Sequence, residues 1–112
     1  MTTIWHNPRC SKSRATLALI EGAGITPEIR LYQNNAPTAD EIRSTLTLLN
    51  IPASDLIRTG EALYKDLNLK GADEATLIKA MAENPKLIER PVVLANNKAA
   101  LGRPPESVLD IL

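Results

Sequence analysis

Apolar and polar positions change their spacing several times along the chain, and each change marks an element. Thr2-Thr3-Ile4-Trp5 is a short β-branched and aromatic run that predicts a strand, and Ala15-Thr16-Leu17-Ala18-Leu19-Ile20 predicts an apolar helix closed by Gly22 and Gly24. From Glu28 the segment Ile25 to Tyr32 alternates polar and apolar residues, as a strand with one buried face does. Strand, helix, strand is a βαβ unit, whose strands run parallel with a right-handed crossover.

A polar loop, Gln33-Asn34-Asn35-Ala36-Pro37, leads to Thr38 and Glu41, spaced as a capping box for a helix over Ala39 to Leu49. Ile42, Leu46 and Leu49 share a face of that helix, and Asn50 and Pro52 stop it. Three helical pieces follow: Ser54 to Arg58, Glu61 to Leu67, and a helix capped by Asp73 with Leu77, Ile78 and Met81 as its buried stripe, ended by Asn84-Pro85. Arg90 to Ala95, the turn Asn96-Asn97 and Lys98 to Gly102 predict a β-hairpin. A last helix opens after Arg103, with Pro104 or Pro105 in its first turn, and runs through Val108, Leu109 and Ile111. The expected architecture is an α/β fold: βαβ, a helical insert over about residues 38–88, then ββα, in one domain spanning residues 1–112.

Composition narrows the function classes. The 112 residues suit one core, and with no Phe that core rests on Leu, Ile, Val and Ala. Thirteen basic residues balance thirteen acidic ones, which argues against nucleic acid or an acidic membrane as a bulk partner. One cysteine cannot form an internal disulfide, and no apolar run approaches the roughly eighteen residues of a membrane span. The expectation is a cytoplasmic monomer without a signal peptide.

Candidate chemistry concentrates in His6-Asn7-Pro8-Arg9-Cys10-Ser11-Lys12-Ser13-Arg14. This run holds the only cysteine and the only histidine, and no acid occurs before Glu21. A lone cysteine is ordinarily a small buried hydrophobe, but these neighbours are polar. Cys10 falls where a strand hands over to a helix, so free amides and the helix dipole act on its sulfur. With Arg9, Lys12 and Arg14 nearby, the thiol is expected to have a lowered pKa. A protonated His6 beside the sulfur, and a hydrogen bond from Ser13, would favour the thiolate further.

Competing site types fit less well. Zinc sites need at least three protein ligands, and one Cys with one His does not supply them, so no metal is expected. A phosphatase-type anion loop would need arginine six residues after the cysteine, where Thr16 stands. Arg58, Arg90 and Arg103 are more suggestive. Arg90 and Arg103 each precede a proline, which holds their backbones extended at the ends of the hairpin and aims their side chains.

Taken together, the run from His6 to Arg14, Arg58, Arg90-Pro91-Val92-Val93 and Gly102-Arg103-Pro104 closely resemble the glutaredoxin-coupled arsenate reductases, over essentially the whole chain. The resemblance implies a thioredoxin-like fold with a mixed four-stranded sheet and the helical insertion between its second and third strands. It implies Cys10 as nucleophile, His6 and Ser13 as promoters of its thiolate, and Arg58, Arg90 and Arg103 as ligands of the oxyanion. It also implies a cis Pro91 facing the cysteine, no bound cofactor, glutathione as co-substrate, and arsenate and glutaredoxin as partners. Two alternatives share the residues. One is a monothiol oxidoreductase acting on glutathione mixed disulfides; the other is a non-enzymatic regulator resembling the Spx proteins, which bind RNA polymerase. Those regulators commonly carry a C-x-x-C switch, and Ser13 occupies the second cysteine position here.

Overall fold

The computed structural model describes residues 1–112. Residues 1–35 with 90–112 form one compact unit and residues 36–89 another.

The first unit contains the sheet. Its strands are β1 (Thr3–Trp5), β2 (Glu28–Arg30), β3 (Val92–Ala95) and β4 (Lys98–Leu101), in the order β2-β1-β3-β4. β1 runs parallel to β2 and antiparallel to β3, and β3 pairs antiparallel with β4. This is the mixed, thioredoxin-like sheet that the resemblance implied. The β3–β4 turn falls on Asn96 and Asn97, with φ of 53° and 59°. Two consecutive positive values are what a tight hairpin with the sheet's right-handed twist requires, and Asn tolerates them.

Register puts Ile4 opposite Val93 and Val93 opposite Ala100 on one face. Helix α1 (Ser11–Gly22) and a C-terminal 3-10 helix (Pro105–Ile111) cover that face. Ile4, Ile20, Val93, Ala95, Val108 and Ile111 form its core. At about 25 cal/mol per Å² of apolar surface, each fully buried Ile or Val contributes about 1.5–3 kcal/mol.

Two expectations change here. β2 does not bury an apolar face: Ile29 is 46% exposed and Leu31 43%, while Tyr32, beyond the strand, is fully buried. Ile29 lies in register with Ile4, but β2 is the edge strand and the covering helices leave it open. The last helix is 3-10 rather than α. Pro104 and Pro105 have no N–H for the first turn, and an i→i+3 bond from Ser107 N to Pro104 O (3.0 Å) closes it.

The second unit is helical: α2 (Ala39–Leu49), α3 (Ala53–Leu56), α4 (Ala62–Asp66), α5 (Glu74–Glu83) and a 3-10 turn (Pro85–Leu87). The α2 capping box is complete, with Glu41 N donating to Thr38 Oγ1 (3.1 Å) and Thr38 N to Glu41 Oε1 (2.9 Å). Asn50 ends α2 in the left-handed region. Asp73 caps α5 through Thr76 N at 2.8 Å, and Leu77, Ile78 and Met81 form its buried stripe together with Ala80. Leu49 is only half-buried, and Thr45 takes the inward place beside Ile42 and Leu46.

The short helices stop earlier than their sequence pattern predicts. α3 ends at Leu56 because Ile57 and Arg58 leave it to pair with residues 87–88: Ile57 faces Ile88 in a β-bridge, and Arg58 N donates to Leu87 O at 2.7 Å. That long-range pairing has no local signature.

Candidate active site

The site begins as the direct continuation of β1. His6 N donates to Arg30 O (2.8 Å), extending the parallel ladder by one residue before the chain turns. Asn7 then organises the loop. Its carbonyl accepts from Cys10 N and its side-chain Oδ1 accepts from Arg9 N, both at 3.0 Å, an Asx turn closed on itself. The Arg14 guanidinium donates back to Pro8 O at 2.8 Å, tying the loop to α1. A hollow of about 350 Å³ opens between this loop and residues 31–34. The polar run does not by itself single out Asn7; the signal for its role is an Asn two residues before a loop amide and three before the cysteine.

Cys10 is the N-cap of α1, in extended conformation (φ −94°, ψ 122°), and is half-buried. Burial raises its pKa, but the Ser13 amide, the Arg90 side chain, the Lys12 amide and the Arg90 charge together hold it below the ordinary thiol value. No side-chain hydrogen bond of regular geometry closes the cap. The two amides therefore act on the sulfur chiefly as oriented dipoles. The expected cationic neighbours Arg9, Lys12 and Arg14 are not the cause; the guanidinium that matters is Arg90, eighty residues away in sequence.

Ser13 and His6 meet each other across the cysteine loop. The Ser13 hydroxyl accepts from Asn7 N (3.0 Å) and lies 2.7 Å from His6 Nδ1. His6 is 7% exposed, and burial, then the charge of Arg14, push its pKa below 6.5. Burial and the Arg14 charge thus work against a protonated imidazole at this place. The two side chains share one hydrogen bond, and the pair braces the loop while the Ser13 amide acts on Cys10.

Arg90 and Arg103 come together at the hairpin ends. Arg103 Nη1 donates to Arg90 O at 3.2 Å. Arg90 Nε and Nη1 are buried and have no hydrogen-bond partner. Such donors are costly to leave unmade unless an acceptor binds there. The Arg90–Pro91 peptide is cis, and so is Arg103–Pro104, which sequence reading did not anticipate. Gly102 N donates to Pro91 O at 2.9 Å. A Cβ on Gly102 would stand 2.6 Å from Pro91 Cγ and closer still to the buried Thr16 hydroxyl. Gly102 is therefore required by close approach, and Thr16, the position that ruled out a phosphatase loop, is the α1 side of that contact.

Arg58 lies in the helical unit, where its guanidinium meets Glu61 (2.6 Å) and Glu89 (3.7 Å). Sequence reading singled out neither carboxylate. No group of three His, Cys, Asp or Glu side chains converges as a metal site, and no helix is long and apolar enough to cross a membrane.

Comparison with known proteins identifies relatives along the whole chain. The chain is 51% identical over 112 residues to the uncharacterized protein YfgD of Escherichia coli strain K12, covering 97% of this chain and 94% of that one. It is 49% identical to the arsenate reductase of Haemophilus influenzae, covering 97% of both chains. Among solved structures, the arsenate reductase from Vibrio cholerae superposes with a TM-score of 0.96 at 46% identity, over 99% of this chain and 97% of that one. Residues 5–111 match the model of the ArsC family, and with relatives this similar along its whole length the chain belongs to that family.

Proposed function

We propose that this protein is an arsenate reductase in which the Cys10 thiolate is the nucleophile and glutathione with glutaredoxin supplies the electrons. The observation that carries the reading is the pairing of an activated thiol with a buried, unsatisfied guanidinium: Arg90 acts on the Cys10 sulfur while its Nε and Nη1 remain without an acceptor. A planar guanidinium is matched to two oxygens of a tetrahedral oxyanion. Family relatives named arsenate reductase support arsenate as that oxyanion.

In the proposed cycle arsenate is held by Arg58, Arg90 and Arg103 and attacked by Cys10, forming a sulfur–arsenic(V) bond with loss of water. With no second cysteine in the chain, an external thiol must finish the reaction. Glutathione sulfur takes that part: the sulfur–arsenic bond breaks, a disulfide forms between Cys10 and glutathione, and two electrons pass to arsenic, releasing arsenite. Glutaredoxin then exchanges with the mixed disulfide and restores the thiol. The sum is arsenate plus two thiols giving arsenite, one disulfide and water. Ser13 and His6 serve by holding the cysteine loop, and Pro91 by shaping the hairpin end that carries Arg90. The protein acts as a cytoplasmic monomer in this reading.

The test is NADPH oxidation coupled through glutathione reductase, with glutathione and glutaredoxin, with and without arsenate. Arsenate-dependent oxidation lost in Cys10→Ser is expected. The arsenate-free arm measures a second reading, reduction of glutathione mixed disulfides, which the single activated thiol also supports; turnover there without any arsenate response would replace the first reading by the second.

A further inference from the structure

Arg58 does not present a bare guanidinium. Its Nη1 is 2.6 Å from Glu61 Oε1, and its Nε is 3.7 Å from Glu89 Oε1. The backbone brings both carboxylates to it. Arg58 N donates to Leu87 O and Glu89 N to Leu56 O (2.7 and 2.8 Å), clasping residues 56–58 against 87–89 on either side of the Ile57–Ile88 bridge. On the other side Glu61 N donates to Arg58 O at 3.3 Å, folding a turn that returns the Glu61 side chain to the guanidinium.

The setting gives these pairs weight. Arg58 and Glu61 side chains are each 28% exposed and Glu89 25%, whereas Arg43 and Asp40, paired at the same spacing on α2, are 54% and 95% exposed. An ion pair as open as the α2 one is worth little. A pair three-quarters withdrawn from water is less screened, and an anion must break it to take the donors it occupies. Carboxylates left beside that anion would also repel it.

Resting on the reading in which Arg58 binds the oxyanion, we infer that Glu61 and Glu89 are specificity-determining residues: they compete with substrate for Arg58 and weaken oxyanion binding without taking part in the chemistry. An anion that takes the Nε and Nη1 donors of Arg58 must displace these carboxylates, so weakly accepting anions are disfavoured there and the apparent KM for arsenate is raised, with kcat unaffected.

Glu61→Gln and Glu89→Gln test this, each near-isosteric. Arsenate binding is measured by calorimetry on the Cys10→Ser background, where no bond to sulfur forms, and KM and kcat are measured with Cys10 intact. Glu61→Gln should bind arsenate about threefold to tenfold more tightly. KM should fall in parallel with kcat within about twofold, and adding Arg58→Ala, or Arg58→Lys should alanine impair folding, should remove or reduce the gain. Unchanged, undetectable or weaker binding in both glutamine variants, or a gain that persists undiminished without the Arg58 guanidinium, would overturn the inference. If wild type turns over no arsenate yet Glu61→Gln tightens arsenate binding through Arg58, the competition stands and the arsenate reductase reading fails.

Discussion

His6 Nδ1 and Ser13 Oγ stand 2.7 Å apart, joining the end of β1 to the first turn of α1 across the cysteine loop. The Ser13 hydroxyl holds the loop, and the Ser13 amide acts on the sulfur. Ser13→Ala should therefore cost about 1–3 kcal/mol of stability by leaving the Asn7 amide and the imidazole without their partner. It should leave the Cys10 pKa within about one unit of wild type, because the backbone amide stays. Urea unfolding and the pH dependence of iodoacetamide alkylation measure the two effects; a large pKa rise with intact stability would reverse the assignment.

Arg90 holds the Cys10 pKa down through both its side-chain N–H groups and its charge. Arg90→Ala should shift the alkylation profile to higher pH, toward the ordinary thiol. Arg90→Lys should restore part of that shift but little arsenate turnover, since a point charge does not reproduce the planar fork. Equal turnover in Lys and Arg proteins would remove the bidentate role.

Stability should also depend on pH through these two groups. Cys10 has a lowered pKa in the folded protein, so the unfolded chain holds more protons between that value and 9.0, and stability rises with pH across the window. His6 is lowered from 6.5, so between its folded pKa and 6.5 the unfolded chain again binds more protons and stability falls on acidification. Urea midpoints measured from acid to alkaline pH should rise in both windows, and Cys10→Ser should flatten the upper one alone.

Gly102→Ala should destabilise the sheet unit by about 1–3 kcal/mol, the usual cost of overpacking, because the added carbon meets the Pro91 ring and the Thr16 hydroxyl. The same substitution at Gly60, where a Cβ meets nothing within 4 Å, should change the thermal midpoint little. Similar losses at both sites would mean that the Pro91–Thr16 contact does not constrain residue 102.

Thr38→Ala should cost about 1 kcal/mol by opening the α2 capping box, and thermal or urea unfolding reports it. Thiol reactivity at Cys10 should not move.

Local chemistry alone determined much of this protein. The capping box at Thr38, the Asp73 cap, the Asn96–Asn97 turn and the strand-to-helix handover at Cys10 were legible because each depends on a few adjacent residues. The HNPxCxxSR run and the arginines beside Pro91 and Pro104 likewise carried the family resemblance. Tertiary structure decided what depends on residues far apart in the chain. It selected Arg90 rather than the neighbouring cations as the charge on Cys10, and it lowered the His6 pKa by burying the ring near Arg14. It exposed Ile29 by leaving β2 at the sheet edge, and it drew Glu89 to Arg58 through the bridge at Ile57 and Ile88. Periodicity reports which face of a segment is apolar; which neighbour covers that face, and which charge meets which, follows only from how the segments pack.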